Sequence, residues 1–113
     1  MIQMNRIFGA SLLALLPSLA LADLPKFDVN THCDNVANAI GESSEMIRSG
    51  CFEQEQTSYN NLKKVWETLP KSMQSHCTAV AKSMAPGSYM ILDGCVTQEL
   101  ESKAGNNNFQ FKY

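Results

Sequence analysis

The sequence predicts an all-α domain made of two disulfide-clamped helical hairpins, an internal duplication joined by a long helix. Three observations lead there. The chain carries four cysteines, all beyond residue 30. Residues 32–51, "HCDNVANAIGESSEMIRSGC", match residues 76–95, "HCTAVAKSMAPGSYMILDGC", at nine of twenty positions. Apolar residues recur at three- and four-residue intervals through both units, which is helical rather than strand spacing.

The opening 22 residues read as a secretory signal peptide. Arg6 supplies a basic start, "IFGASLLALLPSLALA" an apolar stretch, and Ala20-Leu21-Ala22 a small-x-small cleavage site before Asp23. The apolar stretch is short for a membrane span and is broken by Pro17. Residues 23–113 then form a single small domain. With Arg6 set aside, eight basic residues face eleven acidic ones, a net charge of −3. No Lys/Arg stripe is present, which speaks against nucleic acid as a partner, and nothing beyond the signal calls for stable membrane insertion. Export places the chain in the periplasm or outside the cell. There an even cysteine count reads as disulfides, and zinc-type ligand spacing is missing.

The first unit spans about residues 31–55. Thr31 or Asn30 can cap a helix whose stripe is Cys33, Val36, Ala37 and Ile40; Gly41 stops it, and Ser43 or Ser44 caps the next. A long helix over 44–68 follows, polar all round at "EQEQTS" and amphipathic at Leu62, Val65, Trp66 and Leu69. Pro70 suits a first helical turn. The second unit, about 75–99, carries Met73, Cys77, Val80, Ala81 and Met84 on one stripe, then breaks at Pro86-Gly87 before Ser88 caps the last helix. That helix, about 88–104, ends at Gly105, and residues 105–113 form a flexible tail.

The cysteines sit at matching heights on the arms of each hairpin, about 10–12 Å from its turn at 1.5 Å per residue. Four cysteines allow three pairings. The repeat favours Cys33–Cys51 with Cys77–Cys95, because each unit is then closed on itself; spacing alone leaves the other two open.

Candidate chemistry is sparse. His32 and His76, with Met46, Met73, Met84 and Met90, raise a copper-carrier reading, since soft sulfur and imidazole suit that ion. The histidines fall in different hairpins and the methionines mostly on apolar faces, so core filling is preferred and no metal or other cofactor is assigned. Ser43, Ser44 and Ser88 stand where helix caps are needed, and Glu53, Glu55, Glu99 and Glu101 read as solvated charges. The chain is accordingly expected to be non-enzymatic. Trp66 and Tyr89 are candidate partner contacts, with packing between the units as the competing role. Phe109, Phe111 and Tyr113 alternate with polar residues, so an extended tail would offer three rings to one side of a partner.

The second unit also carries a resemblance. Trp66 and Pro70, then Ser75-His76-Cys77, then Ser88-Tyr89, Leu92 and Cys95 resemble a family of short exported bacterial proteins with the pattern Trp, Pro, His-Cys, Ser-Tyr, Leu, Cys. Gln74 and Ser75 stand where that family often has an Arg, and Pro86-Gly87 where it has Gly-Gly. The resemblance implies export and a helical build, and no activity. A fainter one, through Cys51, Asn61-Leu62, Trp66 and Cys77, is to helical, disulfide-bonded periplasmic lysozyme inhibitors. The expectation is a small exported interaction protein with a protein partner; the alternatives are an inhibitor of a cell-wall hydrolase and a copper carrier.

Overall fold

A computed structural model describes residues 23–113. The signal-peptide reading of residues 1–22 lies outside them. Among the described residues four α-helices follow one another: α1, Val29–Asn38; α2, Glu45–Val65; α3, Lys71–Lys82; and α4, Tyr89–Asn108. A single 3-10 turn, Trp66–Thr68, links α2 to α3, and no strand occurs among these residues.

Disulfides join Cys33 to Cys51 and Cys77 to Cys95, each with Cα atoms 5.5 Å apart. The first therefore ties α1 to α2 and the second ties α3 to α4. Each bond joins cysteines 18 positions apart in sequence, a closure worth about 3 kcal/mol in the chain-entropy view. For a domain this short, whose net stability is of order 5–15 kcal/mol at most, that is a large share.

Local chemistry sets most helix ends. Asp28 caps α1: its carboxylate accepts from the Thr31 amide at 3.0 Å and from the Thr31 hydroxyl at 2.8 Å. The expected cap at Asn30 or Thr31 is therefore displaced, because Thr31 is the donor to the cap and not the cap. The Thr31 hydrogen bonds hold Asp28 below the usual carboxylate range. Ser44 and Ser88 cap α2 and α4 through Ile47 and Ile91. Helix α2 gives way to the 3-10 turn and then to extended backbone at Leu69, as a residue before Pro70 must. The Gln74 side chain turns back and donates to the Trp66 carbonyl at 2.7 Å, a buried bond at the end of α2.

The main core gathers Leu62, Trp66, Leu69, Met73, Cys77, Ala81, Tyr89, Leu92 and Val96. It lies between the later half of α2 and the α3–α4 hairpin, and Leu24 and Phe27, from the segment before α1, pack against it together with Val29. In the first hairpin, Cys33 and Ala37 are buried.

Several stripe expectations are corrected. Ile40 and Met84 are 75% and 62% exposed, because both sit at hairpin tips beyond the reach of the core. Helix α4 does not stop at Gly105 but runs on to Asn108, where Asn108 Nδ2 donates back to the Ala104 carbonyl. The "EQEQTS" segment is not solvated all round: Glu55 and Ser58 are buried.

Candidate functional site

The two hairpins meet where α4 begins. Glu55, at the middle of α2, is 2% exposed and directs its carboxylate at the first turn of α4. One oxygen accepts from the Ser88 hydroxyl at 2.5 Å, and the other from the Tyr89 amide at 2.6 Å. The Met90 amide lies 3.4 Å from the first oxygen. The opening amides of a helix lack intrahelical partners and carry the positive end of its dipole, so a carboxylate there satisfies donors that burial would otherwise strand. His32 Nε2 approaches the same oxygen of Glu55 from α1 at 3.4 Å. Glu55, expected as a solvated acid, is the polar hub of the interface.

Tyr89 completes the junction. Its hydroxyl accepts from the Phe27 amide at 2.9 Å and donates to the Pro25 carbonyl at 2.7 Å, tying the segment before α1 to α4. Its ring packs against Phe27 at 4.8 Å and edge-on against Tyr59 at 4.9 Å between centroids. Burial pushes the Tyr89 phenol above its ordinary range, and the neighbouring Tyr59 and Glu55 act in the same direction. Gly87, at φ +112°, lets the backbone pass under the Phe27 ring; a Cβ there would come within 2.6 Å of it. Trp66 and Tyr89, offered as partner contacts from the sequence, are 4% and 6% exposed, so they are packed between the units rather than displayed.

Ser88, Glu55 and His32 contain the residue types of a hydrolytic triad in a different order. Glu55 stands between the other two, so the Ser88 hydroxyl donates to a carboxylate and has no imidazole to take its proton. Ser88 is also fully buried, and its oxygen accepts from the Ile91 amide as the cap of α4. The trio is arranged as a clasp.

Forty-four residues on, the same types recur with a different outcome. His76 Nε2 lies 3.6 Å from Glu99, and both side chains are about half exposed. An open groove of about 580 Å³ runs beside them, lined by Pro70, Met73, Ser102, Lys103 and Asn106 among others. Among the described residues no cluster of three or more His, Cys, Asp or Glu could hold a metal ion, and Met46, Met84 and Met90 are exposed.

The tail emerges just beyond that groove. Phe109 and Phe111 are 69% and 67% exposed, Tyr113 fully so, and their rings contact one another edge-on at 6.5 and 5.0 Å between centroids. These three remain the displayed aromatic residues among those singled out from the sequence. The signal that sequence reading missed was the spacing: His32 precedes Glu55, and His76 precedes Glu99, by the same 23 residues.

No helix among the described residues is long and apolar enough to cross a membrane, and two disulfides suit an oxidising compartment. Comparisons of the chain with protein-family models, curated proteins and solved structures find no match.

Proposed function

We propose that this chain is a small exported, non-enzymatic helical protein that binds a protein partner through its C-terminal tail. The observation that carries the reading is the exposure of Phe109, Phe111 and Tyr113 together at the end of α4. Three large rings left in water at one end of a domain form the kind of apolar patch that partners cover. Export is supported by the signal-like residues 1–22 and by the two closed disulfides. The arrangement of the trio, with Glu55 between buried Ser88 and part-exposed His32, supports a structural rather than a chemical use of Ser88 and His32.

The test is capture from the periplasmic and secreted fractions of the producing cell, with the oxidised protein as bait. A version ending at Asn108 serves as control. A partner retained by the full chain and lost by the shortened one supports the reading. Equal retention by both, or hydrolysis of a substrate panel by the purified protein, refutes it. Inhibition of lysozyme, lost on the same shortening, would identify the partner as a cell-wall hydrolase.

A further inference from the structure

The fold contains one filled socket, and part of its residue pattern recurs, uncovered, on the second hairpin. In the filled one, the start of α4 (Ser88, Tyr89, Met90) seats on the base of the first hairpin, with Glu55 at the helix start and Tyr89 between Phe27 and Tyr59. Forty-four residues separate each of these positions from a counterpart. Glu55 and His32 correspond to Glu99 and His76, and these are uncovered on the base of the second hairpin. Ser88 and Met90 correspond to Ser44 and Met46 at the start of α2, where Met46 is 83% exposed.

The residues that differ between the two sets change together. In the 44-residue register Tyr89 falls on Glu45, Tyr59 on Lys103 in α4, and Phe27, which lies in non-helical chain before α1, on Lys71, the first residue of α3. The aromatic residue held between two rings thus has an acid and two amines as its counterparts in sequence. The free plug and the free socket lie on opposite hairpins of one chain, so they cannot meet within it while α4 occupies the first hairpin.

We infer that the base of the second hairpin is a docking site for the first hairpin of another copy of this chain, with Glu45 received between Lys71 and Lys103. In that register Ser44 and the opening amides of α2 face Glu99, as Ser88 and the opening amides of α4 face Glu55. The occupant is fixed by charge: the socket offers lysines where the filled one offers rings, and Glu45 is the residue that stands in the plug. All the deciding side chains are exposed, Glu45 with only a 3.5 Å contact to Arg48 on its own helix.

The contact is weaker than its internal counterpart. Leu62 and Leu92, buried in the filled interface, correspond to Asn106 and Arg48 in the empty one. Charge therefore dominates, and association is reversible and sensitive to salt. Each copy carries one plug and one socket, so the contact is head-to-tail and builds closed rings or open rows rather than an isologous pair. This surface adjoins the aromatic tail but uses other residues, and the charge-variant test below is distinct from the removal of residues 109–113.

Sedimentation equilibrium of the oxidised protein at low salt tests the inference. Average mass should rise with concentration, and association should weaken at least about tenfold between roughly 0.05 and 0.5 M salt. Glu45→Lys alone should be monomeric, as should the double variant Lys71→Glu/Lys103→Glu, because each sets like charges opposite one another. Mixed in equal amounts the two variants should associate again, since each supplies the charge that the other's face needs. A wild-type protein that stays monomeric at all concentrations overturns the proposal. So does a mixture no heavier than its separate parts, or association that ignores salt.

Discussion

Replacing Glu55 with alanine should cost far more than an acid-to-alanine change on a helix usually does. The side chain accepts two short hydrogen bonds, from the Ser88 hydroxyl and the Tyr89 amide, and all three groups are buried. Hydrogen bonds to a charged group contribute about 1.5–3 kcal/mol each, and a stranded buried donor costs about 1–3 kcal/mol. The two counts overlap, so the expected loss is about 3–5 kcal/mol. Glu99 provides the internal control: same residue type, same 23-residue offset from a histidine, but half exposed beside His76. Glu99→Ala should stay within about 0.5 kcal/mol of the parent. Glu55→Gln keeps the volume and one acceptor oxygen and should fall between the two. Urea unfolding followed by far-ultraviolet circular dichroism, with disulfides intact, measures this. With a slope of about 1–2 kcal/mol per molar for a small domain, the Glu55→Ala midpoint should drop by roughly 1.5–5 M at unchanged slope. If Glu55→Ala and Glu99→Ala shift it equally, Glu55 does not hold the hairpins together.

Three further outcomes follow from the same geometry. Removing Cys33 and Cys51 together should speed amide exchange in α1 while α3 and α4 stay protected, because Cys77 belongs to the main core cluster and Cys33 does not; removing Cys77 and Cys95 should lower protection throughout. Gly87→Ala should cost more than Gly41→Ala: both have positive φ, a conformation costing about 1–2 kcal/mol for alanine, but only at Gly87 would the new Cβ strike a ring. The Tyr89 phenol is raised by burial, so its contribution is complete below pH ~10, its unfolded value, and is lost as pH climbs through the raised folded value. Absorbance at alkaline pH should show a late-ionising phenol whose titration accompanies loss of near-ultraviolet dichroism, and Tyr89→Phe should remove that step.

The helical class, both sulfur pairings and the caps at Ser44 and Ser88 were legible because they are written locally or in the 44-residue register. Glu55 was not, because what buries it arrives from 33 residues away. A run such as "EQEQTS" looks solvated until the donors that need its carboxylate are known. Ile40 and Met84 misled in the opposite sense: each continues an apolar stripe, but the helix pair outlasts the core at its tip. Gly105 misled because an exposed helix end can carry a glycine at a cost of about 1 kcal/mol, and α4 continues three residues past it. Trp66 and Tyr89 stood open between core and surface, and their burial follows from a tertiary junction that periodicity does not encode.

The order of the sulfur links along the chain bears on how the protein is made. Cys33 joins the next cysteine to emerge, and Cys77 the one after it, so neither thiol must wait past a wrong neighbour. Oxidation in order of arrival is already correct, and a strain lacking disulfide isomerase should yield the same two cross-linked tryptic peptide pairs as one that has it.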